Sequence, residues 1–125
     1  MENNIRIMVV DDEPIVGKRL KQTLEKDGYV VEAFTDSLIA TNEFEKNPFD
    51  IIITDLKMEK IDGMNILENV KRKNPDTKVI IITGVGKWLT ATEAFEKGAF
   101  DFIIKPFKLD EIRDVVQRAV KDLST

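Results

Sequence analysis

Neither cysteine nor histidine occurs in this chain. Without cysteine there is no disulfide framework and no thiolate metal site, and without histidine there is no imidazole ligand and no serine–histidine relay. Long hydrophobic runs are missing as well: no stretch approaches the roughly 20 apolar residues that a membrane-crossing helix needs. The opening MENNIRIMVV has no basic region followed by an apolar core and a small-residue cleavage site, so no secretory signal is read and a cytoplasmic location is expected. Positive charge is in deficit. A formal charge of -4 argues against a nonspecific nucleic-acid surface, which would need clustered Lys and Arg facing the phosphates, and no direct nucleic-acid partner is expected. Carboxylate is what the chain has in plenty, 23 Asp and Glu among 125 residues, so its chemistry is sought there. A chain of this length makes one ordinary domain around one core, and residues 1–125 are expected to form it.

Apolar runs alternate with stretches of helical period. Ile5 to Val10, Val30 to Phe34, Ile51 to Thr54, Val79 to Thr83 and Phe102 to Ile104 read as strands. Between them Val16, Leu20, Thr23 and Leu24 mark one helical face, and a second helix falls at about Ser37 to Glu45. Leu67 and Val70 mark the third, and Ala91, Ala94 and Phe95 the fourth. The fifth repeats Leu109, Ile112, Val115, Val116, Ala119 and Leu123 at the helical interval. Pro14 suits a first helical position, and Gly28 and Gly98 suit the ends of the first and fourth helices. Strands apolar on both faces and separated by helices imply right-handed βαβ units, hence an α/β fold with a parallel sheet covered on both sides.

In an open sheet of this kind ligands gather at the carboxyl ends of the strands, where the strand order reverses. The order 2-1-3-4-5 makes strands one and three neighbours at that point and brings Asp11, Asp12 and Asp55 into one pocket. Thr83 ends the fourth strand and Lys105 follows the fifth, so a hydroxyl and a positive charge share the rim. Singly, each residue has a plainer reading: Asp55 as a turn or cap residue, Thr83 as a strand-end β-branched residue, Lys105 as a solvated lysine, Phe102 as core filler. Trp88 is read as core from its spacing to Ala91 and Phe95, although with Leu89 it could also face a partner. In combination the acids ask for something more. Two like charges about 4 Å apart repel by about 4 kcal/mol at an effective dielectric of about 20. Three clustered carboxylates therefore favour a dication, and hard oxygen ligands favour Mg2+, with Mn2+ as the substitute.

The segments VVDDEP, IIITDLKMEKIDGM, VIIITG and GAFDFIIKPF, in that order, resemble the response-regulator receiver domains of two-component signalling, and the likeness covers nearly the whole chain. It implies a flavodoxin-like (βα)5 three-layer sandwich. Asp55 would be the phosphoryl acceptor; Asp11, Asp12, Asp55 and the main-chain carbonyl of Lys57 would hold the metal; Thr83 and Lys105 would contact the phosphoryl group. Phe102 would be the switch aromatic, and the Lys105–Pro106 peptide would be cis. The implied donor is a histidine kinase or a histidine phosphotransfer domain, since this chain has no histidine of its own, and small phosphodonors such as acetyl phosphate would substitute. The chain would modify and unmodify only itself. Phosphorylation would alter the surface of the fourth helix, fifth strand and fifth helix, where an effector protein, an output domain or a second copy would dock.

Two residues depart from the family pattern: Glu59 stands where many relatives have proline, and Lys57 places a flexible cation two residues past Asp55. Aspartate-nucleophile phosphatases are a rival, but they resemble Asp-x-Asp, and Lys57 occupies the place of their second acid. A flavin-binding module of flavodoxin type is another, but its first loop must welcome phosphate, and DDEP presents three negative charges. TGVGKW fails the phosphate-loop pattern in glycine spacing and in the residue after Lys87. The closing DLST directly follows the fifth helix, which suits a stand-alone regulator and a receiver cut from a longer chain equally well.

Overall fold

The computed structural model describes residues 4–56, 62–84 and 88–123, the side chains of 88–90 excepted. Strands and helices alternate along them: β1 (Arg6–Val10), α1 (Pro14–Lys26), β2 (Val30–Phe34), α2 (Ser37–Lys46), β3 (Ile51–Asp55), α3 (Gly63–Lys73), β4 (Lys78–Thr83), α4 (Trp88–Glu96), β5 (Asp101–Ile104) and α5 (Leu109–Leu123). The five strands form one parallel sheet in the order β2-β1-β3-β4-β5. This is the α/β arrangement expected from the apolar runs, in the flavodoxin-like form that the resemblance implied. Each strand boundary lies within a residue of its expected place.

Successive side chains of a strand point to opposite faces of the sheet, so each buried strand feeds two cores at once. Ile7 and Val9, Ile51 and Ile53, Ile80 and Ile82 pack with Leu20 and Leu24 of α1 and with Ile112, Val115, Val116 and Ala119 of α5. Their neighbours Met8, Val10, Ile52, Val79 and Ile81 pack on the other face with Ala40 and Phe44, Ile66, Leu67 and Val70, and Ala94, from α2, α3 and α4. At about 1.5–3 kcal/mol for each large aliphatic side chain fully buried, these two layers are the main force opposing the loss of chain entropy. Only the flanking strands are interrupted: Val30 of β2 and Ile104 of β5 are exposed.

Local chemistry sets the helix ends. Pro14 occupies the first turn of α1, where a missing N–H costs nothing. The Asp36 carboxylate accepts from the N–H groups of Leu38 and Ile39 at 2.9 and 3.1 Å, and Asp62 accepts from Asn65 N at 2.9 Å, which caps α2 and α3. Gly28 and Gly98 turn the chain out of α1 and α4 at φ of 97° and 105°, in the left-handed region that glycine enters without a Cβ penalty. Phe95 corrects the sequence reading. Spacing placed it with Ala94 on the buried face of α4, but only Ala94 is covered, and Phe95 is 48% exposed.

Candidate functional site

The alternation that builds the two cores also sorts the polar residues at the carboxyl ends. Counting by twos, Ile7 and Val9 lead to Asp11, Ile51 and Ile53 lead to Asp55, and Ile103 leads to Lys105. All three continue the sheet face that packs on α1 and α5. Thr83 follows Val79 and Ile81, and Phe102 stands in register beside Ile81, so these two belong to the opposite face. Strand parity therefore separates the charged cup from the hydroxyl and the ring beside it.

Backbone bonds hold the rim in place. Asp11 N donates to Phe34 O at 3.0 Å, Leu56 N to Ile82 O at 3.1 Å, and Lys105 N to Thr83 O at 2.6 Å, so the pairing runs on past the last residue of each strand. The Asp11 carboxylate accepts from Glu13 N at 2.8 Å, a turn of the kind aspartate forms two residues upstream of its partner. The Lys105–Pro106 peptide is cis, as the resemblance implied.

Inside the cup the Lys105 ammonium donates to Asp55 Oδ2 at 2.7 Å, Asp11 Oδ2 at 2.9 Å and Glu13 Oε1 at 3.0 Å. Asp11 is fully buried and Asp55 nearly so. Burial pushes the Asp11 carboxyl above its ordinary range, against the opposing pull of Lys105 and of the Glu13 N–H. Burial also works against the charge of Lys105, but its bonds to Asp11, Asp55 and Glu13 outweigh it and raise the ammonium well above the usual lysine value. Lys105 thus holds its proton while three carboxylates accept from it.

Asp11, Asp12 and Asp55 each offer an oxygen within 4.8 Å of the others. Three hard oxygen donors, two of them shielded from water, fit a small dication, and the strain that burial places on Asp11 is what such an ion would relieve. The structure brings Asp11, Asp12 and Asp55 together and sets Lys105 on Asp11 and Asp55, and Thr83 is buried on the adjoining strand. Phe102 is half-buried against the core under α4. Lys57, Glu59 and the side chains of Trp88 and Leu89 lie outside the described residues.

Two participants were missed. Glu13, the third acid of DDEP, reaches Lys105; its place beside the acid pair was the available signal. Gly63 is the other. A Cβ there would fall on the Asp55 main-chain oxygen and 2.8 Å from Leu56 Cα, while Gly63 N donates to Leu56 O at 2.8 Å. Only glycine lets the start of α3 press against the end of β3 in this way. Beside the cup, a groove of about 520 Å³ lies among Ile15, Val16, Arg19, Gly84, Lys105, Pro106, Phe107 and Leu109.

Residues 7–117 match the family model for the response regulator receiver domain. The chain is 34% identical over 116 residues to the regulatory protein AtoC of Escherichia coli (strain K12), covering 93% of this chain but 25% of AtoC, so it spans about a quarter of that relative. It is 30% identical over 118 residues to the chemotaxis protein CheY of Listeria monocytogenes, covering 94% of this chain and 99% of CheY. Among solved structures, the beryllofluoride-activated NtrC4 receiver domain dimer superposes with a TM-score of 0.89 at 33% identity, covering 94% of this chain and 98% of the other.

Proposed function

This chain belongs to the response-regulator receiver domain family, and from that premise we propose that it is the phosphoacceptor of a two-component relay, with Asp55 as the residue modified. The observation that carries the reading is the convergence of Asp11, Asp12 and Asp55 with the Lys105 ammonium on Asp55.

An oxygen of the ionised Asp55 carboxylate attacks the phosphorus of a phosphohistidine on a histidine kinase or histidine phosphotransfer domain. The P–N bond breaks, the imidazole leaves and takes up a proton from water, and an acyl phosphate remains on Asp55. Acetyl phosphate would serve in the same way, with acetate as the leaving group. Lys105 holds its proton throughout and transfers its hydrogen bond from the Asp55 carboxylate to a phosphoryl oxygen, where negative charge gathers. Thr83 supplies a hydroxyl to a second phosphoryl oxygen. Asp11, Asp12 and Asp55, with the Lys57 main-chain carbonyl, would hold Mg2+ or Mn2+, which when bound neutralises charge on the transferring group. Attack of water on the acyl phosphate returns Asp55 and phosphate, so the mark is transient and the chain acts only on itself.

Output follows from Thr83 and Phe102. Both belong to the face on which α4 packs, so drawing Thr83 toward the phosphoryl group vacates space for the Phe102 ring and alters the α4–β5–α5 surface. That surface would dock an effector, an output domain of a longer protein, or a second copy. Among the described residues no helix is long and apolar enough to cross a membrane, and we read the chain as one domain acting in the cytoplasm. The test is intact mass after incubation with acetyl phosphate and Mg2+. The parent chain should gain one phosphoryl group and lose the gain when the ion is chelated; Asp55→Asn should gain nothing. An equal gain in Asp55→Asn would refute the assignment.

A further inference from the structure

Lys105 spends all three of its ammonium donors, and one of them goes to a residue outside the acid cluster. Its bonds to Asp11 and Asp55 engage two carboxylates that a dication would also claim, so in this structure the ammonium contests the ion's position. A dication entering the cup must take Asp11 from Lys105, and the two cations repel each other at close range. Something has to keep the lysine nearby without leaving it on Asp11.

Glu13 is built for that task. It stands at the N-cap of α1, yet its side chain makes no capping bond. Its backbone is pinned instead: Glu13 N donates to Asp11 Oδ1 at 2.8 Å, and Glu13 O accepts from Val16 N at 3.1 Å. The carboxylate is left to reach Lys105 at 3.0 Å from the solvent side, with the Glu13 side chain 62% exposed and that of Asp11 0%. One end of Lys105's bonding is therefore deep in the cup and the other at its lip.

We propose that Glu13 is a positioning residue that retains the Lys105 ammonium at the lip while a divalent ion takes Asp11, so that ion and lysine occupy the site together. This rests on the reading of the cup as a Mg2+ site. Without Glu13, Lys105 keeps only Asp11 and Asp55 as acceptors among the described residues, and the ion must displace it with no carboxylate among them to receive it.

Magnesium titrations by calorimetry on the parent chain, Asp12→Asn, Glu13→Gln, Lys105→Met and the Glu13→Gln/Lys105→Met pair test this. The parent should bind saturably and Asp12→Asn much more weakly. Glu13→Gln should weaken binding about two- to fivefold, the range of an exposed ion pair, and the same change should have no effect once Lys105 is methionine. An equal loss with and without Lys105 means that Glu13 acts on the ion directly, and overturns the proposal; so does no loss in either background. Absence of saturable binding in the parent, or undiminished binding in Asp12→Asn, overturns the Mg2+ site itself and the proposal with it. Should Lys105→Met fail to fold, nitrogen-15 spectra of the Lys105 ammonium decide. With Mg2+ saturating, its protons should stay protected from exchange in the parent and lose protection in Glu13→Gln, and unchanged protection would overturn the proposal.

Discussion

Gly63 abuts the main chain of Asp55 with no room for a side chain: a Cβ would overlap the Asp55 oxygen and stand 2.8 Å from Leu56 Cα. The atoms it meets are backbone, which cannot swing aside. Gly63→Ala gains helix propensity of at most about 1 kcal/mol, whereas overpacking of this kind costs about 1–3 kcal/mol. Chemical denaturation should therefore show net destabilisation, and phosphorylation of Asp55 should slow because the carboxylate is displaced from Lys105. A variant as stable and as fast as the parent would mean that α3 can retreat without moving β3.

Thr83→Ala separates acceptance from response. Asp55 and Lys105 remain, so the intact mass should still rise with acetyl phosphate and Mg2+. Chemical-shift changes on α4, β5 and α5 should largely vanish, because nothing pulls on the face that carries Phe102. A full-sized change in that region would break the proposed link.

Phe95 and Ile104, 48% and 47% exposed, place apolar surface on α4 and β5 with no neighbour among the described residues to cover it fully. If a second copy docks there on phosphorylation, Phe95→Glu should abolish the shift in sedimentation that beryllofluoride or acetyl phosphate induces, and leave the mass gain intact. A dimer that survives the charge must use another face.

Thr77 tests stability apart from chemistry. It is buried, and its hydroxyl donates to Phe49 O at 2.7 Å, tying the entrance of β4 to the turn before β3. Thr77→Val keeps the shape and removes the donor, which should cost about 1–3 kcal/mol in denaturant unfolding, with an unchanged extent of phosphorylation.

Turnover of phosphomonoesters should be undetectable in the purified chain, since Lys57 stands where an aspartate phosphatase keeps its second acid. Sustained release of phosphate from such esters, lost in Asp55→Asn, would restore the phosphatase reading.

The sheet and its acids were legible because β1, β3 and β4 are buried on both faces, which forces unbroken apolar runs and leaves each terminal acid conspicuous. Expectations weakened where burial is one-sided. On α4 the spacing of Ala91, Ala94 and Phe95 fits a covered stripe, but the helix lies toward the margin of the sheet and only Ala94 is sealed. Glu13 and Gly63 were missed for a different reason. Glu13 meets Lys105 across 92 residues, which no local period records, and Gly63 meets Asp55 and Leu56 through the close approach of α3 to β3, which spacing does not record either.

Strand order has one last effect. Asp55 belongs to β3, which is stitched to β1 on one flank and β4 on the other, whereas Lys105 extends β5, laced only to β4. Loosening the outermost ribbon would free the lysine arm and leave the acid's bed intact, so amide exchange should be faster at Ile103 than at Ile53. The anvil is bolted down, and the hammer hangs from the edge.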